Sequence, residues 1–251
     1  MTNDASLSLP ALCLEPIRVP KSSDVLADQL RRHILKGDLP PGEFLPTERD
    51  LVRQTGLSRG SVREALRLLE AEGLVATRPG RAGGSVARQP GDESLAKYVS
   101  LFVHGRGITL MDLLQTRATI EPSLAALAAR NRTAEELQEL DACTRRVEEA
   151  FDDVPRYLAE NVKWHCAIAS ASHNELLRAF MVAISSTIYR ASAIQDFATP
   201  DIRTVVIKAH RRILGAISER DAEAAHRRMA RHLAALTSQM RAFPHAPLTL
   251  D

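Results

Sequence analysis

Aromatic side chains are scarce in this chain: six Phe, three Tyr and one Trp among 251 residues. Strands favour aromatic and β-branched residues, so a core built mainly from Ala, Leu, Ile and Val points to helices and away from a β-sandwich. Cysteine is rare too. Cys13, Cys143 and Cys166 are odd in number and far apart, with no C-x-x-C. This excludes a disulfide framework and suits a reduced, cytoplasmic protein. No run of 18 apolar residues occurs, so no membrane-spanning helix and no membrane partner are expected. The opening "MTNDASLSLPALCLEP" lacks a basic n-region and carries Asp4, unlike a secretory signal. It reads as a flexible leader over residues 1–19. A large excess of one charge is also missing, the net being +2 at pH 7. The remaining composition, 45% apolar and 25% charged, is that of an ordinary globular protein with one large domain or two smaller ones.

The small net charge conceals a local excess. Residues 53–88 hold seven Arg against three Glu, whereas residues 91–251 balance. Arginine is the better cation for bidentate contacts to phosphate and guanine. Around this segment the apolar spacing predicts three helices. The first is "SDVLADQLRRHILKG", with Leu26, Leu30 and Ile34 on one face, Ser23 or Asp24 as N-cap and Gly37 as its stop. The proline-rich "DLPPGEFLP" is extended or turning. A short helix, "TERDLVRQTG", follows, with Thr47 and Asp50 placed like a capping box. The third, "LSRGSVREALRLLEAEG", is capped by Ser58 and buries Val62, Leu66 and Leu69. The tight turn at Gly56 makes the last two a helix-turn-helix. Two short strands, 74–78 and 84–87, then form a hairpin wing around a Gly/Arg-rich tip.

In such a motif the N-terminal part of the second helix enters the major groove. Here that part presents Arg59 and Arg63, four apart on one face. Ser58 and Ser61 offer hydroxyl or N–H groups to phosphates, and Gly60 permits close approach. Arg49 on the preceding helix and Arg78 and Arg81 on the wing complete a candidate interface for double-stranded DNA. The stretch "LPTERDLVRQTGLSRGSVREALRLLEAEGLVATRPGRAGGSV" resembles the winged helix-turn-helix of the GntR family of bacterial transcription regulators. The resemblance implies operator contacts at Arg49, Arg59 and Arg63 and at Ser58, Gly60, Ser61 and the wing glycine Gly80.

From residue 92 onward helix follows helix, near 93–103, 109–130, 134–150, 155–171, 174–192, 202–219 and 222–241, so an all-α bundle of six to seven helices is expected. The domain plan is therefore a leader (1–19), a winged helix-turn-helix (20–88), a linker (89–92), an all-α domain (93–241) and a tail (242–251). Within "AENVKWHCAI", Asn161 and His165 share a helix face. His210 and His232 lie equally far from the "ERD" loop between the last two helices, each about 16 Å from the turn at ~1.5 Å per residue. A hairpin of those helices brings both to one level, where Asn161 and His165 could meet them. Three imidazoles and an oxygen donor suit a divalent transition metal such as zinc or nickel.

"DLLQTRATIEPSLAALAA", "NVKWHCAIASASHNELL", "AHRRILGAI" and "ARHLAAL" resemble, in order, the effector domain of the FadR subgroup. That resemblance implies a metal held by Asn161, His165, His210 and His232, with Asn161 standing where Asp is usual. Asn offers an amide oxygen but no charge. It also implies that Arg117, four residues before Glu121, clamps the carboxylate of a small organic acid. Taken alone, the Arg117–Glu121 spacing reads as a surface ion pair. Arg228 and Asn174 are further effector-binding candidates.

Three function classes remain open. A three-histidine metal could activate water in a hydrolase, but the acid near these motifs, Glu160, points to another face, and no H-E-x-x-H, G-x-S-x-G or P-loop is present. An architectural DNA-binding protein would leave the histidines without a role. A homodimeric regulator uses both modules: it reads a palindromic operator and senses an acid in the bundle. A larger, fatty acyl effector without metal is the variant that the polar histidines disfavour.

Overall fold

A computed structural model describes residues 19–80, 83–193 and 198–240. The expected leader and tail and the wing residue Arg81 lie outside the described residues, apart from Val19 at the leader's end. The chain divides into two compact units between Gln89 and Pro90.

The first unit contains α1 (Ser22–Lys36), α2 (Glu48–Thr55), α3 (Arg59–Ala71), β1 (Val75–Arg78) and β2 (Gly84–Ala87). Helix α1 is capped at Lys21 without a side-chain bond. The capping role expected of Ser23 or Asp24 is therefore corrected: Ser23 is inside the helix and buried. The other local signals act as hydrogen-bonding chemistry requires. Thr47 Oγ1 accepts from the Asp50 N–H, and Ser58 Oγ accepts from the Ser61 N–H. Gly56, at φ 69°, ends α2 in the left-handed region that lets the chain turn sharply into α3. Leu26, Leu30 and Ile34 of α1 meet Leu51, Val62, Leu66 and Leu69 in one core, closed by Leu74, Val75 and Ala87.

Strands β1 and β2 pair antiparallel from Val75↔Ala87 to Arg78↔Gly84. The proline-rich segment adds to this hairpin. The Leu45 N–H donates to Ser85 O, the Ala87 N–H donates to Glu43 O, and Phe44 bridges Val86. The wing is thus anchored on its β2 edge, which the prolines had hidden from any strand-like alternation. At the tip a Cβ on Gly83 would come within 2.2 Å of Arg78 O, so only glycine fits there.

The second unit has seven helices among the described residues: α4 (Asp92–Gly105), α5 (Leu110–Asn131), α6 (Ala134–Glu149), α7 (Val154–Ala171), α8 (Glu175–Ala193), α9 (Pro200–Ser218) and α10 (Ala222–Met240). Thr109 with Asp112 and Thr133 with Glu136 close capping boxes at α5 and α6. Helix α10 runs beside α5 and α9, and α7 lies against α5, α6 and α8. Trp164, Ile168, Ile213, Ile217, Met229 and Leu233 fill the centre. Helices α5, α7, α9 and α10 surround the candidate metal-binding residues. No helix among the described residues is long and apolar enough to cross a membrane.

Candidate functional site

The first candidate surface is the face of α3 and the wing. Arg49, Ser58, Arg59, Gly60 and Arg63 are exposed, and Ser61 is half-buried. The Ser58 cap occupies the Ser61 N–H, while a helix start leaves its first N–H groups without intrahelical partners. Those of Arg59 and Gly60 sit at the start of α3, where an anion is favoured. Arg63 Nε pairs with Glu48 Oε2 at 2.9 Å. Both side chains are largely solvated, so this pair is weak and exchangeable. Arg78 reaches over the Phe44 ring, 5.8 Å from its centroid, and Gly80 lies in the tip at φ 118°. Arg67, which the sequence reading passed over, lines the same cleft between α3 and the wing as Arg63. Its signal was present in the four-residue spacing of Arg59, Arg63 and Arg67.

The second candidate is inside the bundle. Side-chain nitrogens of His165 (α7), His210 (α9) and His232 (α10) all lie within 4.8 Å of one another, and all three residues are buried. Trp164 stacks on His210 with centroids 3.6 Å apart and rings nearly parallel. Its Nε1–H donates to Thr144 Oγ1 at 2.9 Å, so the indole is itself fixed. Both ring nitrogens of His210, His232 Nε2 and Asn161 Oδ1 are buried without hydrogen-bond partners. Buried polar atoms are nearly always satisfied, and an unpaired one costs about 1–3 kcal/mol. One nitrogen of His210, His232 Nε2 and Asn161 Oδ1, together with a nitrogen of His165, make a donor set whose residue types suit a transition metal.

Arg117 and Glu121 of α5 complete the cluster. Their ion pair is fully buried rather than lying on the surface. Glu121 Oε2 also lies 2.6 Å from His165 Nδ1. Glu121 is thus the acid at the cluster, whereas Glu160 bonds to Arg146 and Lys163. Burial pushes the Glu121 carboxyl up, but Arg117 and His165 outweigh this and hold it well below the usual carboxylate range. Burial pushes all three histidines down. His210 is driven further by His232 and His165, and His232 falls to about 3, with His165 and Arg117 adding to burial. The imidazoles are therefore neutral at pH 7, the protonation state in which they can ligate.

A cavity opens beside the cluster, with Arg117, Asn161, His165 and His232 on its polar side and Leu110, Leu114, Tyr157, Leu158, Ile188, Ile202 and Val206 among its apolar walls. Arg117 Nη2 is buried there without a partner. Two expected effector contacts are not brought to this cavity. Arg228 bonds to Arg212 O and lines a groove between α9 and α10 that meets the cavity's lining only at His232. Asn174 caps α8, its Oδ1 accepting from the Leu177 N–H. Arg228 shares a face of α10 with His232, but its guanidinium is bonded to Arg212 O on α9, and Asn174, just before α8, is spent on that helix's orphan N–H groups.

Comparison with known proteins agrees with both units. Residues 22–83 match the model for bacterial regulatory proteins of the gntR family, and residues 112–235 match the FCD domain. A protein of Escherichia coli named for regulation of the L-lactate dehydrogenase operon is 30% identical over 230 residues, covering 88% of this chain and 87% of its own. The Glc operon transcriptional activator of Escherichia coli is 29% identical over 218 residues, covering 84% and 85%. The transcriptional repressor NanR of Salmonella arizonae is 28% identical over 233 residues, covering 91% and 88%. Among solved structures, a GntR protein of Streptococcus agalactiae aligns with a TM-score of 0.67 at 26% identity, over 86% of this chain and 99% of that one. The chain belongs to the GntR family of transcription regulators, with an operator-binding winged helix followed in sequence by an FCD domain, and is a regulator rather than an enzyme.

Proposed function

We propose that the protein is a metabolite-responsive repressor that binds a palindromic operator as a homodimer and is released by a small organic acid bound in its helical unit. The observation that carries this reading is the set of buried, unpartnered donors on Asn161, His210 and His232 beside the unpartnered Nη2 of Arg117. Arg117 binds the carboxylate of the acid, its planar fork matching two oxygens. A divalent metal, zinc or nickel, held by Asn161, His165, His210 and His232 supplies a Lewis-acidic anchor for a carboxylate or hydroxyl oxygen. Short hydroxy acids fit that pairing of donors, and one relative bears the name of the L-lactate dehydrogenase operon. L-Lactate is therefore the first probe. The apolar walls of the cavity also favour a second reading, an acid with a hydrocarbon tail.

Dimerisation is supported by an apolar strip on α4, where Tyr98, Leu101 and Phe102 are exposed. The operator residues in this reading are Arg49, Ser58, Arg59, Gly60, Ser61, Arg63, Arg78, Gly80 and Arg81. Effector binding changes operator affinity through helix shifts, with a coupling of a few kcal/mol at most.

The test begins with elemental analysis of untagged protein dialysed without chelator. About one zinc or nickel per chain, lost in His210→Ala, is the expected result. Operator binding is then titrated with and without L-lactate and a series of longer 2-hydroxy acids. No uptake even after loading with either ion would remove the metal from the reading. Operator affinity that is indifferent to every acid would remove the effector.

A further inference from the structure

Glu121 stands between the two halves of the candidate effector site. Its Oε1 accepts from Arg117 Nε, and its Oε2 faces His165 Nδ1 at 2.6 Å. Both of its partners and Glu121 itself are buried, at 3%, 3% and 2% exposure, so no solvent competes for these bonds. A carboxylate paired with an arginine accepts hydrogen bonds and does not donate. The proton on the His165 ring must then sit on Nδ1, leaving the Nε2 lone pair for the cluster. The ring has little freedom to do otherwise. Trp164 meets it edge-on at 4.9 Å, and the His232 ring stacks beside it at 5.5 Å. On the other side, tying up Nε fixes the Arg117 fork with Nη2 unpartnered at the cavity.

We infer that Glu121 is a positioning residue serving both ligands at once: it sets the tautomer and aim of His165 toward a metal ion and holds the Arg117 guanidinium open toward an effector carboxylate. The inference rests on the metal reading proposed above. One carboxylate shared in this way makes the two affinities interdependent, since losing it disturbs both groups. Outer partners of metal-binding histidines typically matter by about 10–100-fold in metal affinity.

The test uses the full chain with zinc alone as the probe. Zinc affinity is measured by chelator competition for wild type and Glu121→Gln, and 15N spectra of the metal-free wild type report which nitrogen of His165 carries the proton. Glutamine keeps the shape but has one acceptor oxygen where the carboxylate has two. The expected result is a protonated Nδ1 and bare Nε2 in wild type, with zinc binding about 10–100-fold weaker in Glu121→Gln. Wild-type His165 protonated on Nε2 overturns the inference, and this reading needs no variant if Glu121→Gln fails to fold. Zinc held equally tightly by both proteins overturns the positioning role while the metal reading stands. A wild type that takes up no zinc overturns the metal reading and this inference with it.

Discussion

The two units place functional side chains in opposite surroundings. On α3 and the wing Arg59, Arg63, Arg67 and Arg78 are exposed, and the pair of Arg63 with Glu48 is itself solvated. They cost the fold little and are available to an outside ligand. In the helical unit the polar groups are buried, and several lack any partner. There the fold carries an unmet requirement that a bound ligand would satisfy. A surface site can therefore be altered without touching stability, whereas the buried site is part of the core that supports it.

Acid gives the largest expected contrast. His165, His210 and His232 are held below their ordinary range when folded, yet titrate near 6.5 when unfolded. Below that pH the unfolded chain binds more protons, so stability falls as pH falls, by up to about 1.4 kcal/mol per pH unit for each histidine. The share of His232 continues to be lost down to about pH 3. Glu121 adds a loss of the same sign below the usual carboxylate range, because its folded form resists protonation. The metal-free helical unit should thus lose a few kcal/mol between pH 6.5 and 5. Trp164 is the single tryptophan of the chain, so its fluorescence follows this unit alone during urea unfolding. A midpoint flat across that pH range would show that the histidines are not buried neutral.

Trp164→Ala comes next. The indole is fully buried, stacks on His210 and is bonded to Thr144. Its removal should cost the helical unit about 3–5 kcal/mol. Urea unfolding followed by circular dichroism should show this loss, while a fragment of operator DNA at fixed salt should still be bound by the protein below the transition. Loss of both together would mean that the winged unit depends on the bundle for its own folding.

How far each unit could be read from sequence follows the same division. The caps at Thr47 and Ser58 and the turn at Gly56 are decided by neighbours within four residues, so local chemistry sufficed. His210 and His232 were legible because the helical hairpin of α9 and α10 has an arithmetic centre, whereas His165, on α7, was joined to them by the family resemblance. Glu121 was not. Its spacing from Arg117 is the same as that of any exposed helical pair, and what buries it comes from α7, 44 residues later. Arg228, one turn from His232 on the same face of α10, lines the α9–α10 groove with it and not the cavity beside Arg117, because its guanidinium is bonded to Arg212 O. The edge contributed by Phe44 and Leu45 was masked by prolines and by the absence of alternation.

Arg59→Ala sharpens the surface half of the comparison. Arg59 is exposed at the first position of α3. If it pairs a guanine bidentately, its loss should weaken operator binding by about 1–3 kcal/mol with no change in the unfolding midpoint. A similar loss on unrelated DNA, with a shallower salt dependence, would reassign it to phosphate.

Gly60→Ala is the smallest change and the most informative about geometry. A Cβ at this position would meet only Ser58 Oγ, at an ordinary 3.7 Å, and the backbone is not left-handed. The fold itself therefore gives no reason for glycine here, unlike Gly83 in the wing. Alanine restricts the unfolded chain and favours helix, so the winged unit should gain about 0.4–1 kcal/mol. A duplex lying against the start of α3 would be pushed away by the added methyl, so operator affinity should fall even as stability rises. Opposite signs in the two measurements would show that glycine is kept for the partner and not for the protein. If affinity is unchanged while stability rises, the backbone of α3 does not approach the DNA closely at Gly60, and specificity there is left to Arg59 and Arg63.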